Sequence, residues 1–242
     1  MGIPTSKNHE DPFLANISTI NDPWGNIDRP LCVPDVHVYG LETSAELSEY
    51  FVPNYIKPLD FVAALGREGV RSVLAGSHGM GGWRQQPRAA RDTVLLVAVR
   101  NHQKAIRTLL AAYPRLAAAD FESGTTLRHN DPKGVAIEVI KPVRPLLKKA
   151  LVKTHRVQVG GQPCLIPSLE SALALVFEPM IGLPWSSPEK YFTAGDFIRM
   201  IQANHHIDFK ELAALGELIY KGAGAALIAK VKRVQAGEKL DF

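Results

Sequence analysis

Chemistry-bearing residues cluster first in the stretch LAGSHGMGG, Leu74–Gly82, which follows the apolar run Val70–Leu74. A glycine turn with an embedded serine at the end of a strand can do three kinds of work. It can cradle a phosphate in a P-loop, but from Gly76 the positions that need Lys and Ser/Thr hold Gly82 and Trp83. It can bind a dinucleotide through GxGxxG, but from Gly79 and Gly81 the last glycine falls on Arg84. It can present a nucleophile, since Ala75-Gly76-Ser77-His78-Gly79 fits an AxSxG variant of the nucleophile elbow, with Asp196 and His205 in the right chain order for a triad. An elbow should lead into an apolar helix. Here the polar, proline-broken Trp83-Arg84-Gln85-Gln86-Pro87-Arg88 follows, so a serine hydrolase using Ser77 is the weakest of the surviving alternatives.

The elements that must position this turn are legible from periodicity and punctuation. Residues 1–55 are rich in Pro, Asn and Asp and read as an irregular arm, with one short strand candidate at Val36–Tyr39. Helical spacing runs over Pro58–Glu68, and Val70–Leu74 and Thr93–Val99 read as strands. Asn101 is placed to cap a helix to Ala112, ended by Pro114. Ala117–Phe121 and Thr125–Arg128 are weaker strands, and Val135–Ile140 (VAIEVI) is a strong one. A short helix over Pro145–Leu151 precedes a hairpin, His155–Val159 and Cys164–Ile166, turning at Gly160-Gly161. After Pro167 the pattern becomes helical: Ser168 caps Leu169–Ile181, with Pro179 expected to kink or end it. Pro188–Ala203, Asp208–Tyr220 and Ala223–Ala236 follow as helices. The expected organisation is an α+β domain over 56–166 and a helical domain over 167–242.

Bulk properties bound the function without choosing it. At 242 residues with 46% hydrophobic and 21% charged composition, the chain can bury a sizeable core without disulfides or metal. Its net charge of +4 permits an anionic partner without demanding one. Cys32 and Cys164 form no CxxC pair, which argues against a zinc knuckle and favours a reduced, cytoplasmic protein. The N-terminus has no apolar secretory core, and no run approaches the length of a spanning helix, so no membrane is expected.

The turn gains meaning from what lies after it. Gly76-Ser77 is followed by a basic loop and then Arg88-Ala89-Ala90-Arg91-Asp92-Thr93-Val94-Leu95-Leu96-Val97, with Glu138 later in VAIEVI. This pattern resembles the nucleotidyltransferase superfamily, the DNA polymerase beta-like fold, over about Lys57 to Val234. The family signature is Gly-Gly/Ser, a loop, Asp-apolar-Asp/Glu on the next strand, and a third carboxylate on a later strand. The resemblance implies an α+β fold, a mixed sheet flanked by helices and followed by a helical bundle. It implies that Asp92 and Glu138 are catalytic and bind Mg²⁺. It also implies that Gly76, Ser77, Arg88 and Arg91 bind the nucleotide, and that NMP passes from Mg-NTP to an acceptor hydroxyl. Acceptors in small relatives are antibiotics, proteins or RNA, some within toxin–antitoxin systems.

The chain departs from the signature in two places. Val94 stands where the second acid of the pair belongs, and a branched apolar side chain cannot ligate a cation. The window Leu173–Glu178 lacks the phosphate-side Lys common in such tails; Lys190 begins the next helix without an acid after it. The alternative is therefore a catalytically silent fold-mate that binds nucleotide, RNA or protein. Further residues take bland readings: Trp83 packs beneath its loop, and His78 and the His205-His206 pair are loop residues.

Overall fold

The computed structural model describes residues 56–84, 90, 92–129, 136–159, 162–184 and 187–240. The arm expected over residues 1–55, with its strand candidate Val36–Tyr39, lies outside them. Contacts divide the chain into residues 1–32 and 33–242, and every described residue belongs to the second unit. Helix α1, Pro58–Arg67, begins on proline, which lacks the N–H that the first turn leaves unbonded anyway. It buries Phe61, Ala64 and Leu65, one stripe at helical spacing. Strand β1 is Ser72–Ala75, and it leads into a five-residue helix α2, Gly76–Met80, and a 3₁₀ turn, Gly81–Trp83. The glycine stretch expected as a turn is thus wound into one tight helical turn. Its first residue, Gly76, has φ +59°, and a methyl group added at Gly79 would lie 2.0 Å from the Leu74 carbonyl oxygen. Only glycine tolerates that approach of helix to strand.

Strand β2, Asp92–Val97, leads through a 3₁₀ turn to helix α3, His102–Ala112. Asn101 precedes α3 but makes no side-chain capping bond. Strands β3, Leu116–Phe121, and β4, Gly124–His129, form a hairpin, and β5 is Ala136–Ile140. The five strands make one mixed sheet in the order β1-β2-β5-β4-β3, with β2 and β5 parallel and the other neighbours antiparallel. Helix α4, Pro145–Val152, precedes the hairpin of β6, Thr154–Val159, and β7, Gln162–Pro167. That hairpin packs against β1, which explains why an edge strand is buried at all four residues.

The register sorts the sheet into two faces, because side chains alternate along each strand. Leu74, Leu95, Val97, Ile137, Val139 and Leu127 point to one side and join the main core. Val73, Ala75, Leu96 and Ile140 point to the other, where Leu147 and Ala150 of α4 pack on them. Asp92, Val94 and Glu138 share this second face with them by alternation. Asp92 is exposed, and Val94 and Glu138 are half-buried.

Four helices complete the chain: α5 Leu169–Gly182, α6 Pro188–Ala203, α7 Phe209–Gly216 and α8 Ala223–Gln235. Ser168 caps α5 as its sequence implies, its hydroxyl accepting from the Ser171 N–H at 3.2 Å. Pro179 lies inside the last turn of α5, and the helix ends three residues later with the Leu183 N–H donating to the Pro179 carbonyl. The helix expected over Asp208–Tyr220 stops at Gly216. There the bonding tightens to Leu218 N–H on Leu215 and Ile219 N–H on Gly216, before Gly222 at φ +88° opens α8. A single apolar cluster runs from Phe61 through the sheet to Val234, so the α+β elements and the four helices share one core. Among the described residues no helix is long and apolar enough to cross a membrane.

Candidate functional site

The turn and the two carboxylates are brought to one place by strand register. Ala75, the last residue of β1, pairs with Val94, and Val94 in turn pairs with Glu138 across the parallel β2–β5 ladder. Asp92 lies two residues before Val94 on the same strand face. Gly76 follows Ala75 directly, and a methyl group added there would lie 2.8 Å from Val94 Cγ2. Gly76 is therefore required twice, by its left-handed φ and by the approach of Val94 beneath it.

Burial pushes the Glu138 carboxyl above its ordinary value, the neighbouring Asp92 charge pushes it further, and Arg128 pulls it partly back. Arg128 belongs to this face by register: Thr126 pairs with Glu138, and Arg128 pairs with Ala136, the partner of Asp92. The sheet thus carries a patch of Asp92, Glu138, Thr126 and Arg128 beyond the edge of the apolar cover given by α4. Thr126 and Arg128 go unmarked when the sequence is read alone. Their signal is the alternation of Gly124–His129, and it acquires meaning only when that segment is paired with VAIEVI.

Beyond the turn, the segment Gly81–Arg84 is locked to the rest of the molecule. Trp83 is buried and donates from Nε1 to the Pro167 carbonyl at 3.0 Å, and its ring meets His155 edge-on at 5.2 Å. Asn204, at the end of α6, donates to the Trp83 carbonyl at 2.8 Å. Arg84 is fully buried; it pairs through Nη1 with Asp196 of α6 and donates from Nη2 to the Ser77 carbonyl at 2.8 Å. Read along the chain, Arg84 belongs to a basic loop, because nothing local reveals a carboxylate 112 positions away.

Placed in the fold, the candidates separate as follows. Gly76 opens α2 and Ser77 is half-buried behind it. Asp92, Val94 and Glu138 sit side by side on one sheet face. Arg88 and Arg91 lie outside the described residues. His78 is buried within α2 rather than displayed in a loop, and His205 is exposed after α6. Asp196, the acid considered as a triad partner for Ser77, is occupied by Arg84. Among the described residues no group of three or more His, Cys, Asp or Glu side chains could hold a metal ion. The two carboxylates on one sheet face are hard oxygen donors, the class that suits Mg²⁺. Cys164, free and buried, has its thiol pushed up to about 12 by burial and takes no part in this site.

No protein-family model matches the sequence, and no curated protein matches it. Similarity appears in three dimensions. An antigenic nucleotidyltransferase-like protein from Paracoccidioides brasiliensis superposes with a TM-score of 0.50 and 16% identity, over 80% of this chain and 93% of that one. The antibiotic-resistance factor ANT(2'')-Ia in solution superposes with a TM-score of 0.50 and 11% identity, over 74% of this chain and 94% of that one. The same factor in complex with adenylyl-2"-tobramycin gives 0.50 and 11%, over 70% and 94%. With the mixed sheet, its flanking helices and the helices appended after it, these likenesses show that the chain has the nucleotidyltransferase fold.

Proposed function

We propose that the protein binds a nucleoside triphosphate with Mg²⁺ on the sheet face beside Gly76 and Ser77, and transfers its nucleoside monophosphate to an acceptor hydroxyl. One observation carries the reading: Asp92 and Glu138 lie on adjacent parallel strands on the same face as that turn, close enough for Asp92 to raise the Glu138 carboxyl. Two carboxylates side by side on one sheet face repel each other, and a shared cation would relieve that repulsion.

In the proposed reaction the acceptor oxygen forms a bond to the α-phosphorus, the α–β phosphoanhydride bond breaks, pyrophosphate leaves, and the hydroxyl proton passes to solvent. Asp92 and Glu138 would hold Mg²⁺, whose charge neutralises the phosphates. Gly76 lets the backbone come close to the triphosphate, and Ser77 offers a hydroxyl and an N–H there. Arg88 and Arg91 would supply positive charge on the phosphate side. Arg128, on the same face, offsets part of the Glu138 charge.

A second reading, a silent nucleotide-binding fold-mate, is favoured by Val94, which occupies the ladder position between Ala75 and Glu138 where a further carboxylate would complete the site. Isothermal titration with Mg-ATP and transfer of label from α-³²P-NTP to RNA, protein and small hydroxylated acceptors separate the two. Transfer abolished by Asp92→Ala supports the enzyme. Binding without transfer to any acceptor supports the silent protein, and no binding of any NTP sinks both.

A further inference from the structure

The buried pair Arg84–Asp196 has no counterpart in the proposed reaction, yet it ends on the turn that the nucleotide reading uses. The guanidinium of Arg84 is inaccessible to solvent, and the Asp196 side chain is nearly so. One of its nitrogens meets the Asp196 carboxylate from the middle of α6, and another donates to the carbonyl of Ser77 at 2.8 Å. Such a fork is rigid, and charge-assisted hydrogen bonds from it are directional. Trp83 and Asn204 reinforce the same connection, since Asn204 after α6 holds the Trp83 carbonyl and Trp83 holds the Pro167 carbonyl. The segment 83–84 is thus fastened on one side to the helical part of the chain and on the other to the turn.

Buried ion pairs are poor sources of net stability, because desolvating both charges offsets their attraction. What the pair does to its neighbours is therefore better read from what it positions. We infer that Arg84 is a positioning residue for the Gly76–Ser77 turn, held in place by Asp196, so that nucleotide affinity depends on α6 even though α6 places no residue among the two acids. This rests on the nucleotide reading of the turn. The Ser77 carbonyl accepts from both the Gly81 N–H and the Arg84 fork, so the fork adds a second restraint on the peptide that follows Ser77.

The test uses the full chain with the pair replaced by apolar residues of similar size, Arg84→Met with Asp196→Leu, which removes both charges together. Asp196→Asn, which weakens the fork but keeps its shape, is the second variant. Two quantities are read: hydrogen exchange of peptides spanning 75–82 in the nucleotide-free protein, and the Kd for Mg-ATP. The expected result is a double variant that melts near the wild type, exchanges faster over 75–82 but not over β2 or β5, and binds Mg-ATP about tenfold more weakly, the scale of one charge-assisted hydrogen bond lost from the site. The Asp196→Asn variant leaves the buried Arg84 charge uncompensated, so it should melt below the double variant and exchange at least as fast over 75–82. Unchanged exchange over 75–82 in a folded double variant overturns the positioning role. If the wild type binds no nucleotide, the functional reading fails, while the exchange measurement still decides whether the pair orders the turn. If exchange changes and Mg-ATP affinity does not, the link from α6 to nucleotide binding is wrong.

Discussion

Val94 and Glu138 face each other directly across the parallel ladder of β2 and β5, with Gly76 pressed against the Val94 side chain. A side chain at position 94 therefore has two close neighbours, Gly76 at the start of α2 and Glu138 on β5. Burial raises the Glu138 carboxyl, and Asp92, one step further along the same face, raises it further.

Val94→Asp should convert the pair of acids into three. In metal-free buffer the new charge should lower the melting temperature, because like charges crowd a half-buried face. With Mg²⁺ the loss should be recovered, and the Mg²⁺-dependent rise in melting temperature should exceed that of the wild type. A variant insensitive to Mg²⁺ would show that position 94 does not address the cation site.

The pH dependence of Glu138 has a defined sign. Its folded pKa is raised, so folding favours the protonated form. Its contribution to stability is full below the ordinary carboxylate range and is lost as pH rises through its raised value. Glu138→Gln should therefore be more stable than the wild type at neutral pH in EDTA, with the gap closing as the solution is acidified. Melting curves from pH 4 to 8 (about the span over which a raised carboxyl titrates) check this, and a gap that widens on acidification would contradict the assignment.

Gly76→Ala should be destabilising by about 1–2 kcal/mol from the left-handed backbone alone, with an added share from the contact with Val94 at 2.8 Å. Shortening the neighbour in Gly76→Ala/Val94→Ala should remove the 2.8 Å contact with Cγ2, leaving the 3.1 Å approach of Cβ and the backbone strain. A double-mutant cycle by urea denaturation separates the two. Purely additive effects would mean that Val94 does not press on this position.

Asn204→Ala removes donors to the carbonyls of Trp83 and Met200, both held by its amide. Leaving these acceptors unsatisfied in a buried site should cost about 1–3 kcal/mol. Urea denaturation measures the loss. A neutral substitution would show that the end of α6 is not fastened to the segment beneath the turn.

Much of the architecture was legible along the chain because its signals are local. Pro58, Pro145 and Pro188 each open a helix, Ser168 caps α5, and Gly160-Gly161 fall between β6 and β7 in the sequence. Two local signals misled. The glycines of 76–82 read as an open turn, but their lack of side chains lets them wind into helix against β1. The apolar spacing after Asp208 continues past Gly216, where the helix ends because the backbone must turn toward α8.

For the site, the sequence by itself determined which residues are the candidates: Gly76 and Ser77 after a buried strand, Asp92 at a strand start, Glu138 inside an apolar strand, and valine at 94 where the resembled signature has an acid. Their types and near spacing are properties of the chain. What only the tertiary structure decided is which of them meet. The parallel pairing of β2 with β5, separated by α3 and the β3–β4 hairpin, places Glu138 opposite Val94 and adds Arg128 to the same face. The fork of Arg84 reaches Asp196 across 112 positions. Register and burial are set by the packing of whole elements, and no periodicity within one segment encodes the partner that the other segment will bring.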